Sequence, residues 1–167
     1  VIADSKSGVS GAGRTPGAGT HFPETSEGLH AYKTLDHRHA PEMSRALGGL
    51  KVRFTPHLVP MNRGILSTVY LRLKPGVTLA EVRAAYERRY AGERFVHVLP
   101  AGAHPDTRHV RGTNLCHIGL FQEDDLLCVQ SVIDNLTKGA AGQAIQCLNL
   151  MAGLPEDMGL TQTALFP

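Results

Sequence analysis

Along the chain, polar and apolar positions change period several times, and each change predicts an element. Leu50, Val52 and Phe54 alternate with Lys51, Arg53 and Thr55, a half-buried strand that Pro56 and Pro60 are expected to interrupt. Residues 65 to 73, β-rich in Ile65, Thr68, Val69 and Tyr70, predict a second strand ending at the Pro75-Gly76 turn pair. Between them, residues 60 to 64 read as a hairpin turn carrying a solvated Arg63. The period then becomes helical. Thr78-Leu79-Ala80-Glu81 is a capping box, and Leu79, Val82, Ala85, Tyr86 and Tyr90 share one face of a helix over 78–91 that stops near Gly92. Its other face, with Arg83, Glu87, Arg88 and Arg89, is a solvated one.

A strand near 95–99 and a Pro/Gly/His loop at 100–106 follow, and then strands at about 113–121 and 126–133 that flank the acidic turn Gln122-Glu123-Asp124-Asp125 as a hairpin. Asp134-Asn135-Leu136-Thr137 can cap a last helix from Lys138 to Met151. Ala141, Ala144, Ile145, Leu148 and Met151 form its apolar stripe, widened by Cys147 and Leu150, so burial on more than one side is expected. Glycine in its first turns costs roughly 1 kcal/mol per residue against alanine, which predicts close approach of a ligand or another backbone there.

At the other end, Val1-Ile2-Ala3 begins as if already in a strand, which reads as a fragment. Ser7 to Thr15 is a glycine-rich loop whose backbone N–H groups suit an anion or a closely approaching cofactor. It imitates a nucleotide-binding P-loop, but Arg14 stands where the phosphate-reaching lysine belongs, and NTPase activity is not expected. Residues 16 to 27 read as a surface connection.

With 167 residues, 42% hydrophobic and 19% charged, the chain suits one core and one domain. A net charge of +2 without a basic block leaves no nucleic-acid footprint. No apolar run of bilayer length and no signal-peptide pattern are present, so no membrane partner and a cytoplasmic location are expected. Cys116, Cys128 and Cys147 lie in apolar or strand-like segments without a CxxC pair, as reduced thiols do.

The densest chemistry lies in Leu35-Asp36-His37-Arg38-His39-Ala40-Pro41-Glu42-Met43. Pro41 suits the first position of a short helix that ends at Gly48-Gly49, which places both histidines just ahead of a helix N-terminus. Three readings follow: solvated surface histidines, a metal site on His37, His39 and Glu42, or acid–base chemistry and anion binding by His39, His37 and Arg38.

Four segments in one order, Lys6 to Arg14, His37 to Glu42, Pro56 to Ile65 and Asp134 to Ala144, resemble the C-terminal part of the N-acetyl-gamma-glutamyl-phosphate reductases. The resemblance implies a single α+β catalytic and dimerisation domain across 1–167. Its expected form is a mixed, largely antiparallel sheet with helices packed on one face, like the C-terminal domain of glyceraldehyde-3-phosphate dehydrogenase. It also implies an NADP(H)-binding Rossmann domain outside this chain, a homo-oligomer (dimer or tetramer), and reduction of N-acetyl-glutamyl 5-phosphate to the 5-semialdehyde in arginine biosynthesis.

Matched motif by motif, His39 becomes the acid–base group beside a cysteine thioester, with Ser7, Gly8, His37 and Arg38 on the substrate. Gly11, Gly13 and Asn135 fall on the cofactor side, and no metal is implied. The family's nucleophile sits in an Asn-Pro-Gly-Cys motif that this chain lacks, so the isolated chain is expected to be inactive and its last helix to pack on the nucleotide domain. The alternatives are a non-catalytic oligomerisation module, a metal-dependent hydrolase, and a lysine-biosynthetic acyl-phosphate reductase.

Overall fold

The computed structural model describes residues 1–15 and 17–165, and its organisation starts from β1 (Ile2–Gly8). This strand lies between a parallel partner, β3 (Arg53–Val59), and an antiparallel one, β4 (Ile65–Arg72). Beyond β4 come β7 (Leu126–Ile133), β6 (Cys116–Glu123) and β5 (Val96–Val98), while β2 (His30–Ala31) forms the far edge beside β3. Only β1–β3 and β5–β6 pair in parallel, which gives the mixed, largely antiparallel sheet expected of an α+β domain.

Because β1 separates β3 from β4, residues 60–64 are not a hairpin turn. They cross over the end of β1 and are clipped to it: Gly8, Val9 and Ser10 donate backbone N–H groups to the carbonyls of Gly64, Met61 and Asn62 at 2.9, 2.9 and 3.2 Å. Gly8 makes the crossing possible. A Cβ there would stand 2.9 Å from the Asn62 carbonyl oxygen and 3.0 Å from the Arg63 nitrogen.

Pro56 does not interrupt β3 but lies within it. Its carbonyl accepts from Tyr32 N–H, so its missing N–H faces the edge side, where β2 has only two residues to pair.

The face that carries Ala3 and Phe54 packs under α2 (Ala40–Ala46), through Ala40 and Met43. That helix begins at Ala40, one residue before the expected Pro41, whose missing N–H is still tolerated in the first turn, and Gly48 and Gly49, at φ +66° and +90°, stop it. The capping box at Thr78 and Glu81 forms as expected and starts α3 (Leu79–Tyr90), whose Arg83 donates to the Leu99 carbonyl. Gln122, on this same face of β6, reaches back to the backbone of Val77 just before α3. On the opposite face, residues 103–110 lie over β6: His104 stacks on Phe121, and Pro105 covers Gly119. The acidic hairpin closes through Asp124 at φ +49°.

Two further expectations need correction. The segment read as a plain connection holds a 3₁₀ turn (Ala18–Thr20) and a one-turn helix, α1 (Phe22–Thr25); Pro16, where that connection begins, lies outside the described residues. The last helix starts with a π turn (Thr137–Ala141) before α4 (Gly142–Met151), and its apolar stripe is not buried. Leu148 and Met151 are 60% and 86% exposed, while the inward face is polar. Asn149 donates to the carbonyls of Glu156 and Met158, and Gln146 links Asn114, Lys138 and Glu156. At Gly142 the closest approach is by a side chain rather than by a ligand or another backbone: a Cβ would come within 2.5 Å of Asn114 Oδ1.

The backbone crossing at Gly8 sets a stability test. Gly8→Ala is expected to destabilise the fold by roughly 1–3 kcal/mol, since the clash is with the Asn62–Arg63 backbone rather than with a movable side chain. Gly28→Ala, whose Cβ would meet nothing closer than 4.0 Å, should stay within about 0.5 kcal/mol in the same urea titration.

Candidate functional site

His37 is the fixed member of the histidine cluster. Its ring meets Phe54 edge-on at 5.2 Å, Tyr32 at 5.8 Å and His39 at 4.7 Å between centroids. Its Nδ1 accepts the backbone N–H of His39 at 3.2 Å, a role only the neutral ring can fill. Burial, followed by the charges of His39, Lys33 and Arg38, lowers its pKa from the ordinary histidine value.

The turn before it is strained. Lys33 and Leu35 adopt left-handed φ of +44° and +60°, held by Leu35 N–H to the Phe54 carbonyl and Asp36 N–H to the Lys33 carbonyl, both 3.0 Å. His39 and Arg38 are exposed, and His39 flanks α2 without its side chain capping the helix. One ring is thus anchored and the next is presented to solvent at the start of a helix, an arrangement suited to proton exchange with a ligand docked there.

Ser7 and Gly8 end β1, and Gly11 and Gly13 follow in and after a 3₁₀ turn (Val9–Ala12). The structure ties this group to Asn135. The amide oxygen of Asn135 accepts Gly64 N–H at 2.7 Å, its nitrogen donates to Ser10 Oγ at 2.9 Å, and a Cβ on Gly11 would touch it at 3.4 Å. Asn135 is buried, and both ends of its amide clamp the loops.

The histidines do not join this clamp directly. Ser7 pairs with Leu58 and His37 packs on Phe54, four residues earlier on the same face of β3, which is about 13 Å along the strand. A cavity of about 650 Å³ opens beside Val9, between residues 20–27 and 60–62, and it too excludes the histidines.

The sequence reading placed Asp134 in a capping segment, a role its bonds to Leu136 and Thr137 bear out, but missed its burial and its pairing with Arg63. This carboxylate is fully buried, and it accepts from Arg63 Nη2 (2.8 Å) and from the backbone N–H groups of Gly112 (2.7 Å), Leu136 (2.8 Å) and Thr137 (2.9 Å). Burial raises its pKa, and these four bonds outweigh burial, leaving it below the ordinary carboxylate value. Arg63 is therefore not a solvated turn residue. It also donates to Thr137 Oγ1 at 3.0 Å. The signal available was an acidic residue closing an apolar strand at the head of a cap sequence.

Burial pushes the thiols of Cys116 and Cys128 up, with Lys138 and Tyr70 respectively opposing it, which is the wrong direction for an activated nucleophile. Cys147 is exposed on α4 and accepts from the Gln143 amide at 3.4 Å. Among the described residues no three His, Cys, Asp or Glu side chains converge as metal ligands, so His37, His39 and Glu42 do not assemble such a set. Nor is any described helix long and apolar enough to cross a membrane.

Residues 1–135 match the family described as semialdehyde dehydrogenase, dimerisation domain. The whole chain is 53% identical to a protein of Magnetococcus marinus and 52% identical to one of Laribacter hongkongensis, both named N-acetyl-gamma-glutamyl-phosphate reductase. It spans about half the length of the curated relatives it matches, 50% in both cases. Among solved structures, aspartate semialdehyde dehydrogenase II of Vibrio cholerae complexed with ASA superposes at a TM-score of 0.71, over 91% of this chain and 54% of that one, at 16% identity. A probable aspartate-semialdehyde dehydrogenase from Pseudomonas aeruginosa gives 0.70 over 90% and 54%, at 18% identity.

Asp134 gives a stability prediction with a defined sign. Asp134→Ala is expected to cost about 3–5 kcal/mol, because the Arg63 charge loses its buried partner. In the unmodified protein the depressed carboxyl contributes stability at pH values above its unfolded pKa, about 3.9, and that contribution is lost as pH falls through the lower folded value. Unfolding free energies measured between pH 6 and 2 should therefore drop in the acid range. An Asp134→Asn variant should show a shallower drop.

Proposed function

This chain belongs to the semialdehyde dehydrogenase dimerisation-domain family, and on that premise we propose that it forms the catalytic and dimerisation part of an N-acetyl-gamma-glutamyl-phosphate reductase. The reaction is reduction of N-acetyl-glutamyl 5-phosphate to N-acetyl-glutamate 5-semialdehyde with release of phosphate, a step of arginine biosynthesis in the cytoplasm. The observation that best supports this reading is the identity of about half of all positions over the full chain with proteins of that name.

In this reading a cysteine thiolate displaces phosphate to give a thioester, reduction gives a thiohemiacetal, and collapse frees the aldehyde and the thiol. NADPH, when bound, supplies the hydride. His39 removes the proton from the attacking thiol and later exchanges one with the thiohemiacetal oxygen; its exposure beside α2 leaves the ring free to do so. His37 sets the position of His39, since its neutral Nδ1 holds the His39 backbone, and with exposed Arg38 it faces the anionic substrate. Ser7 and Gly8 border the same substrate from the end of β1.

The residues on the cofactor side suit a shallow contact. Gly13 has open space around it at φ +87°, Gly11 touches the Asn135 amide, and that amide keeps one N–H beyond those it spends on the clamp. No dinucleotide fingerprint is present, so most of the nucleotide is bound elsewhere in the enzyme. The exposed apolar side of α4, Ile145, Leu148 and Met151, is where we place the nucleotide-binding domain. Self-association, as dimer or tetramer, falls to the segment matched by the dimerisation family.

Two measurements on the complete reductase test the reading. His39→Gln should lower kcat by roughly 10²- to 10⁴-fold, and unchanged turnover would remove the acid–base role. Replacing Cys116, Cys128 and Cys147 together by serine should leave turnover within a few-fold, whereas the chain of 167 residues assayed alone with NADPH should give none.

A further inference from the structure

A second concavity, of about 190 Å³, shares Met61 and Asn62 with the larger cavity and is otherwise lined by Arg63, Thr107, Arg108 and Arg111. Three arginines line a space this small. Two are offset by carboxylates: Arg63 by buried Asp134, and Arg108 by Asp106, which grips both its guanidinium and its backbone N–H. Arg111 has no such partner. Among the described residues its guanidinium, the Asn62 amide and the Thr107 hydroxyl make no hydrogen bond or ion pair.

The walls stay in place without a ligand. Thr107 sits so close to Gly64 that a Cβ there would come within 2.9 Å of its own. Val110 is fully buried, and Gly112 N–H is bonded to Asp134, which fixes the backbone on both sides of Arg111. One arginine without a carboxylate partner, beside two polar side chains with unused donors, favours an anion with several acceptor oxygens, and a guanidinium matches the geometry of phosphate.

We propose that this pocket binds a phosphate group, with Arg111, Asn62 and Thr107 supplying the contacts and the carboxylate-paired Arg63 and Arg108 completing its wall. It is separate from the histidines and does not depend on the reaction assigned above. Asn62 and Arg63, which line it, also abut Gly8 through their shared peptide, so occupancy bears on the end of β1. The phosphate can be free inorganic phosphate or the phosphomonoester of a nucleotide.

Isothermal titration of the protein at constant ionic strength, with chloride as the balancing anion, distinguishes these sources. Saturable one-site binding of sodium phosphate supports free phosphate. Binding of NADP⁺ that is sensitive to Arg111→Gln, with NAD⁺ indifferent to the change, supports the phosphomonoester. In either case Arg111→Gln should weaken binding roughly tenfold or more, and Arg111→Lys less. His39→Gln should leave phosphate affinity unchanged, which separates this site from the histidine centre. Should Arg111→Gln fail to fold, the Asn62→Ala, Thr107→Val pair carries the same expectation. No saturable heat with either ligand, or affinities unaltered in a folded Arg111→Gln protein, would overturn the proposal.

Discussion

The arrangement of the chain around the end of β1 depends on one buried carboxylate. Taking Asp134 out of water costs several kcal/mol unless each oxygen is satisfied, and the four donors that satisfy it come from three separate stretches of chain: Arg63 on the crossing turn, Gly112 after the loop over β6, and Leu136 and Thr137 at the start of the last helix. Asn135, the next residue, extends the junction to Gly64 and Ser10. The end of β1, the crossing turn and the π turn thus hold their relative positions through neighbouring side chains. Loosening one would leave a charge or an amide unpaired in the interior, so the junction resists partial opening.

Local chemistry was legible in the sequence where the determinants lie within a few residues of each other. The Thr78/Glu81 capping box, the start of α2 near Pro41 and its stop at Gly48-Gly49, and the β6–β7 hairpin are of this kind. Long-range pairing was not legible. Nothing in residues 50–73 reveals that β1 inserts between β3 and β4, because that is decided by Gly8 letting the crossing turn rest on it. Pro56 misled for a related reason: a proline breaks a ladder only on the side its nitrogen faces, and here that side is nearly unpaired.

The last helix shows the limit of reading burial from an apolar stripe. Hydrophobic residues mark a surface that prefers to leave water, but they do not say which body covers it. Here the polar residues Gln146 and Asn149 turn inward because Lys138, Glu156 and two carbonyls wait for them, and Ile145, Leu148 and Met151 turn outward. Arg63 was misread in the opposite direction. As a charged turn residue it looked solvated, and its partner lay 71 positions away.

The candidate residues themselves were legible as chemistry but not as geometry. His37 and His39 differ by two positions and share an aromatic neighbourhood, yet their roles separate on physical grounds. A ring packed on Phe54 and Tyr32, close to Lys33 and Arg38, and accepting an N–H through Nδ1 is poorly placed to gain a proton. That makes His37 a good support and a poor acid. The strain in Lys33 and Leu35 fits the same division, since left-handed backbone at two non-glycine positions is tolerated only where surrounding bonds over-determine it, and those bonds aim His37 at Phe54. The proposed proton exchange therefore falls to the exposed ring of His39, whose backbone is held by His37 Nδ1 and whose side chain caps nothing.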